Sequence, residues 1–319
     1  MNYMEQDIRK KINKLIEKCV QFEKECLCEN GDIKEEYQET IIDKYIEILT
    51  TFENKFTMRD FEICVEDEKE RIKKFYIVYY VLDEIIFRRL NKEISANPGW
   101  KSEARIRLYM MYLKSFREVL FLLSNGYSDC ALARTRTLYE LGVYINIINK
   151  NSDDLAERFC KYCNVQSLKM AEVQSSKEKV NKIEKYIDQF NFEEGYKKEN
   201  GWARTLFSNI KDKSSVQFRS LVNLTAYKDY LNMYKIACNF VHGSLFSCLE
   251  SLDSAKEQRG KNFWNTSPSN EGVSEVIEFL KIYIITFISD YTDSLLEETI
   301  FEKMLVVFLL GKEILEGDI

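Results

Sequence analysis

Turn-forming residues are scarce in this chain. Its 319 residues include 11 glycines and 2 prolines, too few for an all-β sandwich or a doubly wound fold, which need a turn every ten residues or so. Histidine occurs once, at His242, which excludes zinc hydrolysis on several histidines and two-histidine iron sites. There is no Walker sequence, no G-x-G-x-x-G and no G-x-S-x-G elbow, so kinase, dehydrogenase and hydrolase-elbow chemistry is disfavoured. No window reaches the ~20 apolar residues of a membrane helix. The best runs, 282–288 and 304–310, are bounded by Asp290, Lys303 and Lys312. Positive charge is not in excess either. A net charge of −6 argues against broad duplex DNA binding, which depends on neutralising phosphates, and leaves room only for a local basic groove.

What the chain does have is apolar material, 45% of residues, beside 31% charged residues, the balance of a globular chain with ample core. Nine cysteines and a polar start, Met1 to Asp7 without an apolar segment, lead us to expect free thiols in a reduced cytoplasm.

Helical spacing recurs along the chain. Ile8, Ile12, Leu15, Ile16, Cys19, Phe22 and Cys26 predict an amphipathic helix over 5–28, stopped at Asn30-Gly31. Further helices are expected over 32–56 and 66–94, the latter holding the run Phe75 to Tyr80, apolar almost all round and so buried. Asn97-Pro98-Gly99 breaks the pattern. Beyond it, helices are expected over 100–124, 128–149, 152–190, 201–212, 215–224, 227–252, 273–298 and 299–315, with a loop at 191–200 and a polar insert at 254–272. The expected fold is all-α, a multi-helix bundle, with residues 1–96 as an N-terminal helical arm or subdomain and 97–319 as the helical core.

Three groups of residues carry candidate chemistry. His242 lies in Asn239-Phe240-Val241-His242-Gly243-Ser244, where its pKa near about 6.5 suits proton transfer and Asn239 and Ser244 are able to orient the ring or bind phosphate. The bland counterpart is a histidine that only packs. Arginine is outnumbered, 14 against 32 lysines, yet Arg105, Arg107, Arg117, Arg134 and Arg136 fall in one stretch. Guanidinium forks suit phosphate; the competing view of Arg136 with Glu140 is a surface ion pair worth under about 1 kcal/mol. Finally, Cys160-x-x-Cys163 and Cys238-x-x-x-His242 would together make a Cys₃His set. Zinc pairs usually sit on glycine-bearing knuckles, however, and these fall within helices, so we expect buried thiols, no metal and no cofactor.

The stretch Ser115-Phe116-Arg117 through Asn125-Gly126-Tyr127, followed by Ala133-Arg134-Thr135-Arg136-Thr137-Leu138-Tyr139-Glu140-Leu141, resembles a bacterial family catalogued only as a domain of unknown function. Trp202, Tyr230, Tyr234 and Phe240-Val241-His242-Gly243-Ser244 look like the second half of that pattern. The resemblance covers roughly residues 100–250. The family's all-helical layout is similar to the HEPN superfamily of nucleotide-binding proteins and metal-independent ribonucleases, many of which serve in phage defence or as toxins. Their usual signature is an arginine followed, after four to six residues, by histidine. Lys235 stands at the matching place here, and Arg136 on the neighbouring helix is its candidate substitute.

The resemblance implies a ribonuclease with His242 at its centre, Arg136 beside the phosphate, Glu140 orienting Arg136 and Asn239 holding phosphate or ring. Arg134, Lys235 and Ser244 would bind substrate. It further implies RNA or a nucleotide as ligand, a defence partner protein and a homodimer, for which the apolar runs 283–288 and 304–310 offer surface; no membrane partner is expected, since no apolar window is long enough. The alternative is a non-catalytic helical sensor or interaction module that binds a nucleotide, RNA or a partner protein, a view that Lys235 in place of arginine favours.

Overall fold

Apolar residues at helical spacing account for each long element. In the computed structural model, which describes residues 3–26, 34–37, 44, 47–48, 51, 65, 67–96, 99–208, 214–241 and 272–293, the protein is an all-α multi-helix bundle, without a strand among the described residues. The α-helices are α1 (Tyr3–Cys26), α2 (Lys69–Ala96), α3 (Trp100–Ser124), α4 (Ser128–Lys150), α5 (Asp153–Val173), α6 (Lys177–Asp188), α7 (Phe218–Val222), α8 (Leu231–Val241) and α9 (Val273–Asp293). Short 3₁₀ segments lie at Glu35–Tyr37, Glu194–Lys197, Gly201–Leu206 and Ala226–Tyr230. No helix among the described residues is long and apolar enough to cross a membrane. The chain divides into two compact units. Unit 1 takes Met1–Arg89, Tyr112–Leu138 and Met233–Ile319, and unit 2 takes Leu90–Met111 and Tyr139–Asn232.

In unit 1 the stripe of α1 is buried as its spacing predicts, from Ile8 through Leu15 and Cys19 to Cys26. Arg9 pairs with Asp83 at 2.8 Å, and Arg88 donates to Asn13 Oδ1 at 2.8 Å, tying α1 to α2. Phe75, Ile77, Val78, Tyr79 and Tyr80 of α2 are buried. Phe116 of α3 meets Phe75 and Tyr79 edge-on at 6.5 and 5.7 Å. Phe287 of α9 stacks on Tyr112 with centroids 4.1 Å apart, while the Tyr112 hydroxyl donates to the Tyr283 carbonyl at 3.4 Å. Burial pushes the Tyr112 phenol well above its ordinary pKa. Side chains of this size contribute about 1.5–3 kcal/mol each when fully buried. Tyr283, Ile284, Phe287 and Ile288 are all spent on this core. Apart from half-buried Ile285, the run 283–288 therefore offers no free surface to a second copy, and its companion at 304–310 lies outside the described residues.

Unit 2 departs from the expected element plan. The single helix expected over 152–190 is two, α5 and α6, joined at Gln174–Ser176, where Ser175 has φ 56. Two adjacent serines, whose hydroxyls compete for backbone groups, are the local signal. The expected loop 191–200 winds around Arg158 instead. This guanidinium, 8% exposed, donates from Nε to the Trp202 carbonyl at 3.1 Å and from Nη2 to the Gly201 carbonyl at 3.3 Å. It also pairs with Glu193 and lies over the rings of Phe192 and Tyr196 at 4.6 and 5.2 Å. Burial works to raise the Glu193 pKa, but the hydrogen bond from Arg158 and the charges of Arg158 and Arg204 outweigh it and hold the carboxyl below its ordinary value. Trp202 is buried against Tyr144 and Phe159. The segments expected as helices over 201–212 and 227–252 begin as 3₁₀ turns, and residues 242–252 lie outside the described residues.

The small-residue stripe of α4 has a visible purpose at Gly142. A Cβ there would stand 2.3 Å from the Tyr227 hydroxyl oxygen and 2.4 Å from Cζ. The Tyr227 ring is wholly buried and braced by Tyr139, edge-on at 5.4 Å, whose hydroxyl donates to the Tyr227 carbonyl at 2.7 Å. At an exposed helical position Gly→Ala stabilises by about 1 kcal/mol. Here overpacking, which costs about 1–3 kcal/mol, outweighs that gain. Gly142→Ala is expected to lower stability in urea unfolding, and a raised midpoint would contradict the packing described.

Candidate functional site

The candidate site in unit 1 begins with a turn. Helix α3 ends at Ser124, and Gly126 takes φ 74, the left-handed conformation glycine adopts at little cost. The Tyr127 N–H donates to the Leu122 carbonyl at 2.9 Å and the Gly126 N–H to Leu123 at 3.0 Å, the paired bonds of a Schellman ending. Helix α4 starts two residues later, at Ser128, and folds back along α3. Residues about equally far from the turn therefore meet. Arg134 Nε pairs with Glu118 at 2.5 Å, and its Nη2 donates to Ser115 Oγ at 3.1 Å. Nη1 donates to Thr137 Oγ1 at 3.3 Å.

Arg134 and Arg136 do not act as one anion fork. Residues two apart on a helix point to different faces, so when Arg134 turns toward α3, Arg136 turns away from it. The Arg136 guanidinium carbon lies 5.6 Å from the centre of the Tyr234 ring on α8, within reach of a cation–π attraction. This contact answers what spacing left open: the helix bearing the arginines touches the helix that leads to His242. On α8, Lys235 and Asn239 are exposed, one turn apart, and Ala237 is buried on another side. His242 and Ser244 lie outside the described residues, immediately beyond Val241, the last residue of α8. Glu140, half-buried, belongs to unit 2.

The other arginines of the sequence cluster are engaged by the protein. Arg117 lies over the Tyr79 ring at 6.0 Å in unit 1. In unit 2 Arg105 donates to Asn149 Oδ1 at 2.9 Å, and Arg107 pairs with Glu103 and donates to Cys163 Sγ at 3.9 Å. Of the cysteine pair on α5, Cys160 is buried with its thiol directed to the Trp100 carbonyl at 3.8 Å, and burial lifts its pKa to about 12. Among the described residues no three His, Cys, Asp or Glu side chains gather as a metal-binding set. The interactions that periodicity did not reveal are the Glu118 and Ser115 partners of Arg134 and the ring under Arg136. The only local signal for the first was the Asn125-Gly126 stop that makes the hairpin.

Residues 102–260 match a family of unknown function (DUF5677), a span that holds both the arginine helix and the His242 segment. No curated protein and no solved structure matches the chain.

A role for Arg134 in holding the α3–α4 hairpin has a direct test. The pair is about one-third exposed on both sides, so its coupling is screened. A double-mutant cycle of Arg134→Ala and Glu118→Ala is expected to give about 0.5–1 kcal/mol of coupling in urea unfolding. A coupling of zero would show that Glu118 does not help to hold Arg134 in place.

Proposed function

We propose that this protein is a HEPN-like, metal-independent endoribonuclease acting in bacterial antiphage defence, with His242 and Arg136 as its catalytic pair. The observation that supports it is the Arg136–Tyr234 contact at 5.6 Å, which brings a guanidinium to the helix where the signature arginine is replaced by Lys235. Metal-free RNA cleavage joins the 2′-oxygen to phosphorus and breaks the bond from phosphorus to the 5′-oxygen. A proton leaves the 2′-hydroxyl, another reaches the departing oxygen, and negative charge builds on the phosphate between them. His242, the chain's one histidine, suits a proton-transfer step near neutral pH. Arg136 suits the phosphate, since its planar donors are charged at every working pH. Lys235 and Asn239, exposed one turn apart on α8, and Ser244 would bind flanking phosphates. Arg134, tied to Glu118, contributes by fixing the α4 helix on which Arg136 stands.

His242→Ala and Arg136→Ala are each expected to fold normally and to lose about 10²–10⁴ in cleavage rate, the usual cost of a positioned acid, base or charge partner. EDTA should leave the wild type unaffected. Total RNA and tRNA left intact by the wild type, with and without an infecting phage or partner protein, would overturn the proposal. Saturable nucleotide or RNA binding without product would then support the sensor reading.

The homodimer belongs to the same proposal, because HEPN sites are commonly completed across a two-fold axis. Light scattering at micromolar concentration should give about twice the chain mass of 37.9 kDa. A value near the chain mass would mean that one copy must supply every group.

A further inference from the structure

A cavity of about 500 Å³ lies in unit 1 along α1, and none of its described lining residues comes from α4 or α8. Three of its lysines, Lys11, Lys14 and Lys18, recur along one side of α1, and Lys44 faces them from the segment that also supplies Ile48. Helix spacing explains the grouping, since residues three, four and seven apart share a face. Leu15 and Phe22, 1% and 8% exposed, close the base of the cavity from within the core, and half-buried Ile48 supplies its open apolar surface. Two carboxylates, Glu25 and Glu47, also line the cavity, so four lysines against two glutamates leave a local charge of +2 in a chain whose net charge is −6.

The lysines are not equally engaged. Lys11 pairs with Asp7 at 3.0 Å, and Lys44 lies 4.9 Å from the centre of the Tyr37 ring. Glu25 accepts from Gln21 at 3.2 Å. Lys14 and Lys18 are exposed, and no carboxylate among the described residues pairs with either. Two unneutralised ammonium groups beside an apolar floor, on an otherwise acidic protein, favour a ligand with a matching division: anionic at one end and flat and apolar at the other.

We infer that this cavity is a second ligand site, distinct from the proposed ribonuclease centre, and that it takes a nucleoside phosphate. The phosphates sit on Lys14 and Lys18, with Lys44 opposite, and the base lies against Ile48. The volume falls in the range of small-ligand sites, about 300–1,000 Å³, and suits a compact ligand better than a long acyl chain. Aromatic and aliphatic floors receive any base by its face, so lysine–phosphate attraction provides the affinity and the base preference is mild. Such a site gives the protein a means of reading nucleotide levels independently of RNA cleavage.

The test is calorimetry of the full chain with ATP, GTP, CTP and UTP in turn, with adenosine and inorganic phosphate as the two half-ligands. We expect saturable binding of at least one triphosphate at one per chain, weaker binding of inorganic phosphate and none of adenosine. Lys14→Glu with Lys18→Glu should weaken triphosphate binding by about a hundredfold or more, the scale of two lost charge-assisted hydrogen bonds, with no change in thermal midpoint. The milder pair Lys14→Gln and Lys18→Gln serves if the reversal perturbs folding. RNA cleavage at zero nucleotide should be unchanged in either variant, which separates this site from the His242 centre. The inference is overturned if no triphosphate binds up to millimolar concentration, if adenosine binds as well as ATP, or if a folded lysine variant binds as tightly as the wild type.

Discussion

The left-handed Gly126 between α3 and α4 is the constraint on which the candidate site rests. It ends one helix with its last carbonyls satisfied and starts the next two residues later, so the two must lie side by side. Three polar residues on the first half of α4 then have an assigned direction. Arg134 meets Ser115 and Glu118 across the hairpin, and Thr135, buried, returns its hydroxyl to the Leu132 carbonyl at 2.7 Å. Arg136 is carried round to Tyr234. A different register at the turn would move all three, because helical faces rotate by about 100° per residue.

Buried charge in this protein is handled by enclosure rather than by exposure. Arg158 in unit 2 is the clearest case: carbonyls, a carboxylate and two aromatic rings surround one guanidinium. A buried charge costs several kcal/mol unless such partners are in place, so the irregular 193–202 segment is ordered by the residue it encloses. The Tyr196 hydroxyl closes the arrangement by donating to the Arg158 carbonyl at 2.8 Å. The arginines of α4 follow the same rule: Arg134 pairs with Glu118, and Arg136 meets the ring of Tyr234.

The two places where phosphate is proposed to bind differ in kind. On α4 and α8 one arginine, with Lys235 nearby in sequence to its aromatic partner, offers a directed fork suited to a single developing charge. On α1 a row of lysines offers mobile point charges over an apolar floor, suited to holding a whole nucleotide without chemistry. Neither requires an overall positive protein, and a net charge of −6 disfavours unspecific attachment to nucleic acid elsewhere on the surface.

Sequence periodicity alone determined the helical class, the buried stripe of α1, the buried aromatic run of α2 and the α3–α4 stop, because each depends on residues within a few turns of one another. It also located the arginine helix and the histidine-bearing segment in their order. Tertiary structure decided what those patterns mean. It divided the expected helix 152–190 at Ser175, wrapped the expected loop around Arg158, and sank Tyr283, Ile284, Phe287 and Ile288 into the core of unit 1 instead of leaving them for a partner. It also separated Arg134 from Arg136, two residues that read as one cluster in the sequence. The physical reason is the same throughout: a local pattern fixes which face a side chain occupies, but its partner lies tens of residues away, and only packing brings the two within reach.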